Sequence, residues 1–590
     1  MQKRIKQRYN YLRKLFRTKE FTLDNAAEIL LKEFKDPKDS VITILSDLKK
    51  ESCVEVKLDP ADSRKRIYRL VDPHLERFRK EVLDRKDLEA LLKEAADLIR
   101  TKVDYTFILL LLFYKKVSDK WQKEYEAAYK ESVDIYKLSV KDAKANATNP
   151  TYHDFIIPEE YLWENIRNDS DKLAENFSAA MKKMAEQNPD YKDVFENFDF
   201  VQFVNNRENQ EILFDLVELF SVNSLEKASP DVLGDAYEWL IRLFAPQKAK
   251  EGEVYTPREV INLLVQLLDP KPGERIYDPA LGSAGMLIGS HTYVKEKYGK
   301  EEADKLFMFG QEVNYKTRSI AKMNLYLHGI KNAIPEYGDT LLYPKFKEGG
   351  ELMQFDIALA NPPWNLDGYG EEKITLGDLW KKQYNDWGFA PDQSADWVWL
   401  EHMHYVTTER VSGRVGVIMD NGLLFRGSKE KTIRQKMIEA DLVECVILLP
   451  EKLFYNTGAP GCIMILNKNK REALKNRIIF INASQEFIQH PEVRRLNSIS
   501  ESNINKIVEA FRDEFHHDGF ARTVEIEEVK DNDYNLNVSL YVFPEEDKEQ
   551  IDIPKEWSEL SEIEKELASL NNKISKYLTS LNYNTDYIKV

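Results

Sequence analysis

The sequence is poor in cysteine and contains no long apolar run. Its three cysteines, Cys53, Cys445 and Cys462, are too few and too scattered for a disulfide framework or a zinc site. The longest purely apolar run, 107–114, falls well short of the roughly 20 residues that span a bilayer. The basic N-terminus lacks the apolar segment of a signal peptide. These absences predict a cytoplasmic protein that does not associate with a membrane.

Basic residues are also outnumbered by acidic residues, which gives a net charge of −16 and a pI of about 5.3. Such an acidic chain is not expected to hold nucleic acid along its whole surface, so any contact with DNA would be local or supplied by a partner. The 590 residues are 43% hydrophobic, which is enough for substantial cores. That length predicts about three or four domains.

Residues 1–75 are predicted to form a small winged-helix-like module. Thr22 is placed to cap a helix with Asn25 at its third position, and a second helix follows Pro37. An alternating segment then turns and alternates again, which indicates a hairpin with basic residues at 64–66. The module is either a contact for DNA or a domain that docks to another protein, since fold alone does not decide function.

Residues 76–245 show helical periodicity and no catalytic constellation, which predicts a helical bundle domain. The segment 229–245 is one of its amphipathic helices. Residues 486–590 are predicted to end in a coiled-coil helix that docks to a partner, because apolar residues recur at steps of three and four. They are Trp557, Leu560, Ile563, Leu567, Leu570, Ile574, Leu578 and Leu581.

Residues 246–485 are predicted to form an α/β domain. Short β-rich runs such as "RIYDPA", "FDIALANPP" and "LVECVILLP" alternate with helical stretches. That alternation is typical of a doubly wound, Rossmann-like parallel sheet covered by helices on both faces.

The segment "RIYDPALGSAGMLI", 275–288, reads as a strand, an acidic residue at Asp278, a turn and a helix start. Gly282 and Gly285 would allow a ligand close to the backbone N–H groups at the helix N-terminus. The turn lacks both the dinucleotide fingerprint and the lysine of a phosphate-binding loop. It therefore suits an adenosyl ligand with a zwitterionic amino acid tail better than a triphosphate.

Two further acids follow the next two strands. Glu312 ends the strand of "MFGQEVN" and could accept hydrogen bonds from both hydroxyls of a ribose. Asp339, in "YGDTLL", could hold an adenine amino group. Upstream, Pro257 is expected at the first position of a helix, directly after Tyr255 and Thr256.

The segment "FDIALANPPWNLDG", 355–368, stops a strand abruptly with two prolines. The side-chain carbonyl of Asn361 and the backbone carbonyl of Pro362, held by Pro363, offer two acceptors, and Trp364 offers a flat face. Two acceptors and a stacking surface suit the exocyclic amine of a planar base such as adenine. A duplex hides that amine, so the base would have to be flipped out and would then stack on Trp364.

Taken in order, "VYTPREV", "DPALGSAGMLI", "GQEVN", "GDTL" and "ALANPPW" resemble the DNA amino-methyltransferases that use S-adenosylmethionine. More narrowly, the chain resembles the methylation (M) subunit of Type I restriction–modification systems over roughly residues 90–590. The stretches at 422–439, 449–468 and 534–542 support that narrower resemblance.

The resemblance implies that Glu312 binds the ribose, that Asp339 binds the cofactor adenine, and that 361–364 hold the target base. It also implies a cofactor pocket, to which Asp278 and Gly282 of the turn belong as well. The pocket residues carried over from the family are Glu253, Val254, Tyr255, Thr256, Pro257, Arg258, Ser283, Ala284 and Gly285.

The sequence departs from the family pattern at several of these positions. The family often has Gln at position 253, a small residue at Leu281, Gly at Ala284 and Phe at Trp364. A winged-helix-like N-terminus is not part of the usual pattern.

The resemblance implies an adenine-N6 methyltransferase acting on double-stranded DNA. A specificity (S) subunit would supply DNA recognition through the C-terminal helix, within a complex that could include a second M subunit and a restriction (R) subunit. The tail after residue 485 is too short for both a target-recognition domain and the coiled-coil segment. The alternatives are a stand-alone adenine or N4-cytosine methyltransferase, with residues 1–75 holding DNA, and a non-catalytic regulator on the same fold.

Overall fold

The computed structural model describes residues 3–16, 19–60, 62–99, 104–169, 172–204, 206–248, 255–410, 413–513, 519–543 and 553–581. Within these ranges, no helix combines the length and apolar character that would let it cross a bilayer. Buried apolar side chains form four clusters. One lies in the N-terminal unit, one in the helical segment, and two on opposite faces of a large sheet.

The N-terminal unit packs three helices against a small antiparallel sheet with strand order β1-β3-β2. Thr22 caps α2 reciprocally: its hydroxyl accepts from Asn25 N, and its own N–H donates to Asn25 Oδ1. This confirms the predicted cap, and the helix after Pro37 and the hairpin are confirmed as well. The elements are α1 (Lys3–Phe16), β1 (Glu20–Thr22), α2 (Leu23–Phe34), α3 (Lys38–Lys50), β2 (Val54–Leu58) and β3 (Arg66–Leu70).

The helical segment is built around α6, whose apolar run Ile108–Tyr114 is buried in the centre of the cluster. Its elements are α4 (Pro73–Glu76), α5 (Arg85–Ile99), α6 (Thr106–Asp134), α7 (Val140–Ala147), α8 (Trp163–Asn168), α9 (Leu173–Gln187), α10 (Lys192–Glu196), α11 (Phe200–Phe203), α12 (Arg207–Phe220) and α13 (Pro230–Lys248). Single 3-10 turns lie at Pro150–Tyr152, Glu159–Tyr161, Pro189–Tyr191 and Leu225–Lys227.

The α/β part begins with α14 (Arg258–Leu268), β4 (Arg275–Asp278), α15 (Gly285–Tyr298), α16 (Lys300–Ala303), β5 (Phe307–Glu312), α17 (Tyr315–Leu327), β6 (Ala333–Tyr337), β7 (Lys347–Glu348), β8 (Glu351–Leu352), β9 (Ile357–Ala360), α18 (Glu371–Ile374), α19 (Trp380–Tyr384) and α20 (Asp396–Tyr405). The helical segment is fixed to this part through α17, because Ile320, Met323 and Leu327 are buried in the helical cluster.

The chain continues through β10 (Arg414–Asp420), α21 (Ser428–Glu439), β11 (Val443–Leu448), β12 (Gly461–Asn467), β13 (Arg477–Asn482), β14 (Ile488–Gln489), β15 (Asn497–Ser498), α22 (Glu501–Asp513), β16 (Ala521–Glu525), α23 (Ile526–Asp531) and α24 (Ile553–Ser580). Further 3-10 turns lie at Asn421–Leu424, Glu472–Leu474 and Val538–Leu540. The short strands β7 with β8, and β14 with β15, form two-stranded antiparallel pairs.

Nine strands form one sheet in the order β16-β13-β11-β12-β10-β9-β4-β5-β6. From β10 to β6 the neighbours are parallel, which confirms the predicted doubly wound core. The prediction of a parallel sheet fails at two strands, because β12 and β16 run antiparallel to their neighbours. The residues of β12 are almost all buried, like those of its parallel neighbours, so an apolar run could not reveal its direction.

The sheet also extends past residue 485, where the α/β domain was expected to end. The edge strand β16 pairs with β13 from Arg477↔Glu525 to Ile481↔Ala521. This strand is short and partly polar, as edge strands often are, and its sequence gave little strand signal.

Helix α24 carries the predicted apolar stripe, and the stripe is exposed. Trp557 is 69% exposed, Ile563 61% and Leu570 54%. The described residues of this chain therefore leave the stripe largely uncovered.

Candidate active site

The predicted site residues gather at the carboxyl ends of four neighbouring parallel strands. Asp278 ends β4, Glu312 ends β5, Asp339 follows β6, and Asn361 follows β9 directly. This edge is where ligands bind in doubly wound sheets. Glu312, Asp339 and Asn361 line one cavity of about 430 Å³, together with Gly282 and Ser283 of the turn after β4.

The turn after β4 is fixed by hydrogen bonds between its backbone and side chains of neighbouring elements, and by left-handed backbone conformations. Gly282 has φ +54°, and its N–H donates to Glu312 Oε2 at 2.9 Å. Ala284, fully buried, has φ +69°, so the family's usual glycine has a physical reason at this position. Asn324 Nδ2 donates to Ser283 O at 2.9 Å and ties the turn to α17.

Gly285 has a packing role that the sequence did not reveal. Its φ is not positive, and an added Cβ would lie 2.9 Å from Ile261 Cδ1. The missing side chain therefore lets α15 pack closely on α14. Gly285 also lines a second cavity, so an approach to a ligand stays a prediction.

Asp278 is buried beneath this turn. It is 1% exposed, and its Oδ1 accepts the N–H of Ala280 at 3.0 Å. Burial, reinforced by the charge of Glu312, raises the pKa of Asp278 to about 8 despite that hydrogen bond. The carboxyl is therefore mostly protonated at neutral pH, which the sequence did not reveal.

Glu312 and Asp339 are both held by backbone N–H groups. Besides Gly282, Asn314 donates to Glu312, from N to Oε1 at 2.8 Å. Asp339 Oδ1 accepts from the N–H groups of Leu341 and Leu342 at 3.1 and 3.2 Å. Both carboxylates are thus fixed at the cavity wall, and carboxylate oxygens have capacity for further donors.

Asn361 begins the loop after β9, and both ends of its amide are bonded. Nδ2 donates to Thr256 Oγ1 at 2.8 Å, and Oδ1 accepts from Trp364 Nε1 at 3.0 Å. Pro362 is buried and Pro363 lines the cavity. The structure thus brings Thr256 and Trp364 together at Asn361.

The segment at the start of α14 contributes three residues to cavity walls. Tyr255, Thr256 and Arg258 all line cavities, and Arg258 also pairs with Asp235 and, at 2.7 Å, with Glu238 on α13. Pro257 is the N-cap of α14, one position earlier than predicted. The predicted contacts of Glu253 and Val254 lie outside the described residues.

Several cavity residues were missed from the sequence. Tyr369 lines the 430 Å³ cavity, as do Tyr105, Ile241 and Ala245 of the helical segment. Tyr105 stacks on Phe244 with ring centroids 4.7 Å apart, so it resembles any helix-core aromatic in sequence. No motif marked Tyr105, Ile241 and Ala245, because only the packing of the helical segment on α17 brings them to the site.

A second cavity, of about 680 Å³, meets the first at Asn361 and is bounded by α13, α14, α15 and α22. Five residues line both cavities: Tyr255, Ala280, Gly282, Ser283 and Asn361. Asn361 therefore lies on the wall that the two cavities share.

Comparison with known proteins agrees with this geometry. Residues 228–550 match the family model described as N-6 DNA Methylase, and residues 88–220 match the HsdM N-terminal domain. The MjaVII and MjaVIII Type I restriction enzyme methylase subunits of Methanocaldococcus jannaschii are 42% and 41% identical to the chain. These matches cover 98% and 97% of this chain, and 97% of each relative.

A solved structure of a Type I methyltransferase subunit shares the fold of this chain. The Type I restriction–modification methyltransferase subunit of Streptococcus thermophilus superimposes with a TM-score of 0.67 at 28% identity. That match covers 78% of this chain and all of the other. The chain belongs to the N-6 DNA methylase family, among the methylase subunits of Type I restriction enzymes.

Proposed function

We propose that the chain transfers a methyl group from S-adenosylmethionine to N6 of a flipped adenine in double-stranded DNA, as the modification subunit of a Type I-like restriction–modification complex. One observation carries the proposal. The Asn361-Pro362-Pro363 turn follows β9 at the sheet edge that also carries Glu312 and Asp339, and Asn361, Pro363, Glu312 and Asp339 line a single cavity. Acceptors for an amine thus stand beside groups suited to an adenosyl ligand.

The residues of the 430 Å³ cavity fit S-adenosylmethionine, which when bound supplies an electrophilic methyl group. Fixed carboxylates at Glu312 and Asp339 match ribose hydroxyls and an adenine amine. Apolar walls at Pro363 and Leu366 match the base. The turn at 282–285 presents backbone to the amino acid tail, and the protonated Asp278 beneath it adds no negative charge to that end.

Asn361 and Pro362 act on the target amine. The lone pair of adenine N6 is delocalised into the ring, which makes it a poor nucleophile. Acceptors at Asn361 Oδ1 and Pro362 O would draw the amine hydrogens toward a tetrahedral arrangement and free the lone pair for attack. This is catalysis by orientation and electrostatics with no covalent intermediate on the protein.

DNA recognition is assigned to partners. The exposed stripe of α24 fits a helix of an S subunit in a coiled coil, consistent with the acidity of the chain. A second M subunit and an R subunit would complete the complex. Substrate DNA and three unpaired cysteines fit a cytoplasmic location.

The N-terminal unit has the helix order and hairpin of a winged helix. We assign residues 1–75 to such a module, 76–245 to a helical domain, and 246–485 to the core of the methyltransferase domain, which β16 extends. Within 486–590, we assign partner docking to helix α24. Whether the module contacts DNA or protein is tested by deleting it from the assembled complex and comparing DNA affinity with subunit association.

The function is tested by assembling the chain with an S subunit and supplying labelled S-adenosylmethionine and duplex DNA. N6-methyladenine is the expected product in a nucleoside digest. N4-methylcytosine would contradict the assignment of the base, and no transfer by the assembled complex would contradict the enzyme assignment. Robust site-specific methylation by the chain alone would contradict the assignment of DNA recognition to the partner.

A further inference from the structure

Gln311 is a fully buried glutamine beside the carboxylate proposed to bind the ribose. It precedes Glu312 at the carboxyl end of β5, and it is 0% exposed. Successive side chains of a strand point to opposite faces, so the side chains of these two residues diverge. Glu312 bonds the turn after β4, whereas Gln311 reaches the loop after β6.

The side-chain amide of Gln311 holds that loop at three backbone positions. Its Nε2 donates to Gly338 O and to Tyr343 O, each at 3.1 Å, and its Oε1 accepts from Lys345 N at 2.9 Å. These positions lie on both sides of Asp339, which we propose binds the cofactor adenine. Although Gln311 borders the 430 Å³ cavity, both amide hydrogens are used within the protein, so the side chain has no donor left for a ligand.

The carboxylate of Asp339 moves with this loop. Its Oδ1 is bonded to the loop's own backbone, at the N–H groups of Leu341 and Leu342, and its backbone carbonyl accepts from Tyr343 N at 2.8 Å. The loop also wraps closely around the glutamine, because a Cβ added at Gly338 would lie 3.4 Å from Gln311 Nε2. A loop released by the glutamine would therefore carry the carboxylate away from its place.

The backbone of Gln311 fixes the other side of the proposed cofactor site. Its carbonyl accepts from Leu281 N at 3.0 Å, in the turn after β4. Thr340 Oγ1 donates to Pro279 O at 2.7 Å, so the loop after β6 is bonded to the same turn. Gln311 thus lies between the turn assigned to the amino acid tail and the loop assigned to the adenine.

We infer that Gln311 is a positioning residue that acts through Asp339, and that the preference of the site for adenine depends on it. The inference rests on the proposed function. The 6-amino group of adenine can donate to the carboxylate of Asp339, whereas the 6-oxo group of hypoxanthine would place an oxygen against it. A site built to bond an N–H group rejects an analogue that lacks it, so S-inosylhomocysteine reports the place of Asp339.

The test measures the Kd values of the full-length chain for S-adenosylhomocysteine and S-inosylhomocysteine by calorimetric titration. Wild type should prefer S-adenosylhomocysteine by about tenfold or more. Gln311→Met keeps the bulk of the side chain and removes its three hydrogen bonds. It should weaken binding of S-adenosylhomocysteine by about tenfold and leave the Kd for S-inosylhomocysteine within about threefold of wild type.

Gln311→Glu is a milder variant that keeps the shape of the side chain and the acceptor for Lys345 N. Burial favours the protonated carboxyl, which donates one hydrogen bond in place of two. This variant should lose part of the preference for S-adenosylhomocysteine, less than Gln311→Met loses. A wild-type preference in both variants would overturn the inference.

Asn188→Leu is the matched control, because Asn188 is a buried amide that bonds the backbone of the helical segment in the same way. Its Oδ1 accepts from Ile156 N, and its Nδ2 donates to Ile156 O and to Met184 O. The control should lower the melting temperature, as Gln311→Met does, and keep the wild-type ratio of the two Kd values. Equal losses of affinity for both ligands in Gln311→Met would overturn the inference and leave the glutamine a purely structural role.

Asp339→Ala tests whether Gln311 acts through this carboxylate. It should remove the preference for S-adenosylhomocysteine, and Gln311→Met should then change the ratio of the two Kd values by less than about twofold, because both changes act on one contact. The same fold-change in both backgrounds would overturn the inference. A wild-type chain that binds both ligands equally, or neither, would instead contradict the proposed cofactor site, and the inference with it.

Discussion

The hydroxyl of Tyr369 donates to Oδ2 of Asp339 at 2.8 Å. Tyr369 belongs to the loop that begins with Asn361, and Asp339 is the predicted ligand of the cofactor adenine. Burial, together with the hydrogen bond to Asp339 and its charge, raises the pKa of Tyr369, so the hydroxyl remains a donor at neutral pH. This hydrogen bond therefore joins the loop that we propose holds the target base to the proposed adenine subsite.

Tyr369→Phe should weaken cofactor binding by about three- to tenfold, because a hydrogen bond to a charged group contributes roughly 1.5–3 kcal/mol and part of this orients Oδ2. Calorimetric titration with S-adenosylhomocysteine measures the change. Tyr343→Phe, an exposed tyrosine nearby, is the control and should bind normally. Unchanged or tighter binding by Tyr369→Phe would show that the hydroxyl does not support the subsite.

Ala284→Gly should change the free energy of unfolding by less than about 1 kcal/mol. Relief of a left-handed alanine gains roughly 1–2 kcal/mol, and loss of a buried methyl group costs about 0.8 kcal/mol. Ala321→Gly, in the buried interior of α17, loses a methyl group and helix propensity with no relief. Thermal unfolding should therefore show a clear loss of stability for Ala321→Gly only. Equal losses of stability in the two variants would contradict the strain that we assign to Ala284.

The protonated Asp278 makes stability depend on pH. Its pKa rises from 3.8 in the unfolded chain to about 8 in the folded protein, so between these values the folded state holds the extra proton. Its stabilising contribution is present below about pH 4 and is lost as the pH rises through 8. Asp278→Asn keeps the acceptor for Ala280 N–H and should flatten this fall.

The measurement is the melting temperature of the cofactor-free protein at pH 6 and pH 8.5. Over that interval the melting temperature of wild type should fall by more than that of Asp278→Asn. The exposed variant Asp386→Asn should show the same fall as wild type. Identical pH slopes for wild type and Asp278→Asn would show that this carboxyl does not titrate in the range.

Residue pattern alone predicted the elements that position the site. Glu312 and the prolines after Asn361 mark the carboxyl ends of two strands, and such ends meet at one edge of a parallel sheet, so the convergence of these residues could be expected. The direction of β12 could not be predicted, because a strand buried on both faces shows no orientation in its sequence. Tyr105 and Tyr369 were missed for another reason: their roles arise from packing between distant segments, and no local spacing encodes it.

The stripe of α24 predicts the effect of charge on assembly. Leu567→Asp with Ile574→Asp should abolish association with the S subunit, because both side chains are about half exposed in the free chain and would be buried in a coiled coil. Lys565→Asp, which adds negative charge off the stripe, is the control and should associate. Gel filtration of mixed subunits distinguishes them, and cofactor binding should be normal in all variants. Association that survives the double change would place the docking surface elsewhere.

The role of Asn361 is tested most directly by Asn361→Ala in the assembled complex. Loss of a preorganised polar group at a reacting centre typically costs about 10²–10³ in kcat, so we expect methyl transfer to adenine N6 to fall at least 100-fold. The affinity for S-adenosylhomocysteine should be nearly unchanged, and the exposed Asn385→Ala should behave as wild type. Methyl transfer by Asn361→Ala at close to the wild-type rate would contradict the account.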